Sequence, residues 1–200
     1  MNLEPDRHLN CKCCSQLNDI RGSLQSSSLD VSQILNLVET LAGSFRTACY
    51  CENGCTQSTY YTQLLIQPLM RLLDFLDVLR MATLSHHSGS ASYTSSRTGK
   101  SPEDFCVTGH QQIARLNRFP LDELEKKLLA QELLRGSLVA INSIAKEVHH
   151  RLMQARSLPP SLEDSGAAYS SIAQTQQHMC NLYDEFLSRT YSALAMCSGD

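Results

Sequence analysis

The sequence predicts an all-α protein, an irregular bundle of five to six helices with a long central helix. Three observations carry this. Apolar residues recur at steps of three and four along most of the chain. No run of alternating residues bounded by turn signals reads as a strand. One stretch, PLDELEKKLLAQELLRGSLVAINSIAKEVHHRLMQA, sustains the helical stripe over more than thirty positions. No period of 20 to 50 residues repeats, which excludes a solenoid.

The first helix is expected over residues 9 to 25, where Leu9, Cys13, Leu17, Ile20 and Leu24 line one face. QSSSLD breaks it, and Asp30 offers a carboxylate as N-cap to the next helix. That second helix buries Val31, Ile34, Leu35, Val38, Leu41, Ala42 and Phe45. It ends in the segment ACYCENGCTQSTYY, whose Asn53-Gly54 pair marks a turn because both residues tolerate positive φ. The third helix runs from about Thr59 to Leu84, and Pro68 inside it predicts a kink or a break, since proline removes a backbone donor and clashes with the preceding turn. Residues 86–102, rich in Ser, Thr and Gly, read as a flexible loop. The long fourth helix, about Leu121 to Gln154, opens on Pro120 with Asp122, Glu123 and Glu125 against the helix dipole. Residues 156–166 form a second loop, and a last helix spans about 167–195. The whole of 1–200 reads as a single domain, long enough to bury a core without covalent staples.

Charge and composition narrow the function. Lys and Arg total 17 against 20 acidic residues, a net charge of −3, which supplies no footprint for coating nucleic acid. Direct sequence-specific DNA binding is therefore not expected. The opening residues fit neither a signal nor a transit peptide, and no stretch approaches a membrane span. The nine cysteines are accordingly expected in a reducing compartment, as free thiols or metal ligands. No GxSxG, HExxH or glycine-rich phosphate cradle occurs, so no catalytic residue and no cofactor is assigned.

Metal is the site chemistry to weigh. His86-His87 fall in the Ser-rich loop, and His149-His150 diverge by about 100° on a helix, so both pairs read as solvated surface. A structural zinc site wants four Cys or His ligands, usually as two C-x(2–4)-C pairs. Cys51 with Cys55, and Cys11 with Cys14, have that spacing; Cys49 and His8 lie nearby. Against zinc, Cys13 lies on the apolar stripe with Cys14 beside it, so one of the two reads as core filler, as free cysteine packs like a small hydrophobe. The balance favours packing, and Cys11, Cys14, Cys49, Cys51 and Cys55 are kept as metal candidates.

The stretches NCKCCSQLNDIRGSL, ILNLVETLAGSFRTACYCENGC and LLIQPLMRLLDFLDVL, followed by the long helix, together resemble the C-terminal regulatory domain of fungal zinc-cluster transcription factors of the aflatoxin-regulator type. The resemblance spans most of residues 9–155 and rests on leucine and cysteine patterns. The binuclear zinc cluster through which those factors read DNA needs C-x2-C-x6-C repeats, and CKCC at 11–14 does not match. The resemblance therefore implies a nuclear, coactivator-like regulator of a secondary-metabolite gene cluster that acts through a protein partner such as a DNA-binding transcription factor, with homo-oligomerisation open. The alternative is a helical metal-binding or redox-sensing protein using Cys49, Cys51 and Cys55. A truncated relic without activity is the third reading.

A partner surface is expected on the fourth helix. At 1.5 Å per residue it is roughly 50 Å long, more than a bundle of this size covers. Its stripe widens at Leu134, Leu138, Val139, Ile141 and Ile144, which are the expected contact residues. The competing reading is a central helix buried on several sides.

Overall fold

The computed structural model describes residues 11–25, 29–85, 115–116, 119–120, 122–157 and 166–197. Five α-helices make up nearly all of this: α1 (Lys12–Ser23), α2 (Val31–Cys49), α3 (Thr59–Ser85), α4 (Glu123–Ser157) and α5 (Gly166–Cys197). A single 3₁₀ turn, Cys55–Gln57, precedes α3. Two two-residue strands, β1 (Arg115–Leu116) and β2 (Phe119–Pro120), pair antiparallel. The all-α expectation holds. The expected loop at 86–102 lies outside the described residues, as do 158–165 of the second expected loop, whose first residues, 156 and 157, are helical.

Local chemistry sets the helix starts. Asp30 accepts the Gln33 backbone N–H at 2.7 Å, and the Gln33 side chain accepts the Asp30 backbone N–H at 2.9 Å, a reciprocal capping box. Asp122 and Glu125 repeat it at the head of α4, with distances of 2.7 and 2.9 Å. Each box satisfies two backbone donors that the first turn leaves without a helical partner.

α3 is one continuous helix through Pro68, so of the kink or break expected there the break does not occur. Burial on both sides of the proline outweighs its local cost of roughly 3 kcal/mol: Leu64, Leu65, Ile66, Leu69, Leu72, Leu73, Phe75 and Leu76 are all within the core. α3 packs against α1, α2, α4 and α5, and α4 against α2, α3 and α5. Those three partners cover the stripe of α4. Leu134, Leu138, Ile141 and Ile144 are 1%, 1%, 0% and 5% exposed, so four of the five expected contact residues belong to the core. Only Val139, at 48%, faces solvent. The length argument failed because α5, 32 residues long, runs beside α4 and covers it.

α1 is the smallest helix, with 12 residues, a length at which an isolated helix is marginal in water. Cys13, Cys14, Leu17, Ile20 and Leu24 hold it against α2 and α3. Its first turn consequently sits at the corner between α2 and α3.

Candidate metal centre

The corner is built by backbone hydrogen bonds. The Cys51 N–H donates to the Ala48 carbonyl at the end of α2, and the Gly54 N–H donates to the Cys51 carbonyl at 2.9 Å, closing a four-residue turn. Gly54 has φ +62° and ψ 33°, a left-handed conformation that costs a side-chain-bearing residue about 1–2 kcal/mol. From there the chain enters the 3₁₀ turn, where Gln57 and Ser58 donate to the Gly54 and Cys55 carbonyls. The reversal brings Cys55 Sγ to 3.5 Å from Cys51 Sγ. Asn53-Gly54 thus performs the turn expected of it.

α1 supplies the other half. Cys11 is its N-cap, with extended backbone angles, and its carbonyl accepts the N–H groups of Cys14 and Ser15. Cys11 Sγ lies 3.4 Å from Cys51 Sγ and 3.2 Å from Cys55 Sγ. Cys13 completes a group of four, Cys11, Cys13, Cys51 and Cys55, whose sulfurs all lie within 4.8 Å of one another. Three of them are buried and Cys51 is half-buried. A tetrahedral zinc with Zn–S bonds of about 2.3 Å separates its sulfurs by about 3.8 Å, so this donor set has the size and chemistry for one such ion. A disulfide requires an S–S distance near 2.05 Å, and the described cysteines are all free thiols.

The electrostatics belong to sulfurs sharing one small volume. Burial opposes ionisation of Cys11, but the Cys13 backbone amide and the Cys55, Cys51 and Asn53 side chains outweigh it and bring the thiol down to about 6. Burial pushes Cys13 up to about 12, helped by Cys11 and Cys51. Burial, then the same two neighbours, raises Cys55 further still. One thiolate is therefore readily accommodated, and several only with a cation among them. Tyr61 lies 1% exposed beside this group, and its hydroxyl has no hydrogen-bond partner. Burial raises its pKa, with Cys13 the next contributor, so the phenol stays protonated.

Of the five candidate ligands, the structure unites Cys11, Cys51 and Cys55 and rejects two. Cys14 is 2% exposed and packs in the core beside Leu17, with burial raising its thiol. Cys49 is turned to Arg151, whose Nη2 lies 3.6 Å from its sulfur. Arg151 also donates to Thr56 Oγ1 and, through Nε, to Glu147 at 2.9 Å. Cys13 is the ligand that spacing missed. The C-x2-C template selected Cys14, whereas the extended N-cap lets Cys11 pair with Cys13, which sits at the end of the apolar stripe and so faces the corner. His149 joins no metal group among the described residues: its Nε2 lies 3.1 Å from an Asp184 carboxylate oxygen, a contact not anticipated for a residue read as solvated surface. His8 and His86-His87 lie outside the described residues.

Among the described residues no helix is long and apolar enough to cross a membrane. No known family model, curated protein or solved structure matches this chain.

Proposed function

We propose that the protein binds one zinc ion through Cys11, Cys13, Cys51 and Cys55, and that the metal is structural, tying α1 to the α2–α3 corner. The observation that carries this is the convergence of four sulfurs, from two segments about forty residues apart, within 4.8 Å. Zinc is favoured over harder ions because the donors are all thiolates. A complete tetrathiolate keeps no open coordination position, which supports a role in folding and not in catalysis.

The stapled bundle is proposed to act in the nucleus as a coactivator-like transcriptional regulator, through a protein partner and without reading DNA. Support for this comes from the resemblance described above, part of which falls on the residues that now carry the thiolates: NCKCC and ACYCENGC.

Elemental analysis of protein purified from a reducing host tests the zinc reading. One zinc per chain is expected, and its removal by a chelator lowers helicity and melting temperature together, because the binding free energy of a structural metal is folding free energy. Metal-free protein that melts identically with and without added zinc overturns it. Transcript levels of neighbouring biosynthetic genes after gene deletion test the regulatory reading, and unchanged transcripts remove it.

A further inference from the structure

The four sulfurs are unequally sheltered. Cys55, Cys13 and Cys11 are 0%, 4% and 8% exposed. Cys51 is only half-buried, and it lines a cleft of about 740 Å³ between the corner and the C-terminal end of α4. Thr56 and Gln57 form the corner wall, and Arg151, Leu152 and Ala155 the opposite one. No other member of the sulfur group lines this cleft. A small polar molecule entering from solvent therefore meets Cys51 first. Behind Cys51 stand two further sulfurs in reach, Cys11 at 3.4 Å and Cys55 at 3.5 Å.

A solvent-reachable metal thiolate backed by close sulfurs is the arrangement that peroxides convert to a disulfide. We propose that Cys51 is the point of oxidative attack on the centre, and that hydroperoxide entering the cleft releases the metal by joining Cys51 to Cys11 or Cys55. The inference rests on the zinc reading above. In the first step the Cys51 thiolate attacks the terminal peroxide oxygen, the O–O bond breaks, hydroxide leaves from hydrogen peroxide (alkoxide from an organic hydroperoxide) and Cys51 becomes a sulfenic acid. In the second, the thiolate of Cys11 or Cys55 attacks the Cys51 sulfur, the S–S bond forms and the sulfenic oxygen leaves as hydroxide. Two thiolates have lost two electrons and one peroxide has gained them. The two remaining thiolates are half of the donor set and do not retain the ion. A Cys51–Cys55 disulfide leaves the first turn of α1 without its metal tie, held by burial of Cys13, Cys14, Leu17 and Ile20 alone, whereas a Cys11–Cys51 disulfide exchanges the metal tie for a covalent one at the N-cap. The centre thereby couples peroxide to the packing of α1.

The test uses the full chain in a Cys49→Ser background, which removes the one other described thiol lining the cleft and leaves the four ligands intact. Metal content is measured first: a chain that takes up no zinc removes the zinc reading itself, a failure recognised before any oxidant is added. Hydrogen peroxide is then titrated in while a chromophoric chelator reports released zinc and peptide mapping locates the disulfide. The expected result is one zinc released per two ligand thiols lost, with Cys51 in the disulfide. An Ala155→Trp variant, which enlarges a side chain lining the cleft at a position that is not a ligand, is expected to release zinc several-fold more slowly. Zinc that stays bound while thiols are oxidised, a disulfide without Cys51, or an Ala155→Trp rate equal to that of the parent overturns the proposal.

Discussion

At the scale of single residues, adjacent cysteines of one helix have different environments. Cys13 and Cys14 are both nearly inaccessible, 4% and 2% exposed, but Cys13 belongs to the four-sulfur group, whereas Cys14 stands outside it and touches it at Cys55. Replacing each by serine separates the two roles. Cys13→Ser is expected to lose stoichiometric zinc, because a neutral hydroxyl is a poor substitute for a thiolate ligand. Cys14→Ser keeps its metal and instead costs about 1–3 kcal/mol, the penalty for a hydroxyl placed in an apolar site. Zinc per chain and the urea midpoint measure the two effects independently. The sequence identified the cysteine groups but not this division, since a stripe drawn at helical spacing says which face is buried and not what lies against it.

At the scale of elements, periodicity located every helix to within a few residues, because the steps of three and four are imposed by the helix itself. It did not say how wide a stripe a helix must cover. The broad stripe of α4 is consistent with either a free surface or burial on several sides, and contact with α2, α3 and α5 selects burial. Val139→Asp and Ile144→Asp distinguish the faces. Val139, nearly half exposed, is expected to accept the charge with a change under about 0.5 kcal/mol. Ile144, 5% exposed, is expected to lose cooperative folding, because an uncompensated carboxylate would be buried between helices. Circular dichroism melts of the two variants give the comparison. Pro68 teaches the same lesson in reverse: a local signal strong enough to break an isolated helix is overridden when both flanking turns are buried.

At the scale of the whole molecule, the pairing of α4 with α5 contains a polar pair that no pattern announced. Thr190, fully buried, places its hydroxyl 3.1 Å from Asn142 Oδ1, and Asn142 is itself 6% exposed. The same hydroxyl lies 2.9 Å from the Leu187 carbonyl of its own helix. The pair joins α4 to α5 by a buried hydrogen bond at one defined position along the two helices. Thr190→Val is expected to destabilise the fold by about 1–3 kcal/mol, since Asn142 loses its donor in a place water does not reach. Asn142→Leu with Thr190→Val should recover much of that loss by removing both polar groups, and chemical denaturation of the single and double variants measures it. One residue before Thr190 on α5, Arg189 holds Asp74 at 2.8 Å and Asp77 at 3.2 Å across to α3. These groups are about one-third exposed, so solvent screening keeps their contribution small.

The sequence by itself determined the all-α class, the placement of the helices, the Asp30 cap of α2 and the turn at Asn53-Gly54. Each of these is decided within one or two helical turns, by spacing, by a side chain reaching three residues along, or by the left-handed angle at Gly54. The tertiary structure alone decided which thiols meet, which face of α4 is covered, and which cysteine of the group remains open to solvent. Those outcomes depend on where α1 lands against a corner about forty residues away and on how α5 returns along α4. No local rule carries that information: the sulfurs of Cys11 and Cys51 are brought to 3.4 Å by the packing of three helices and not by their positions in the chain.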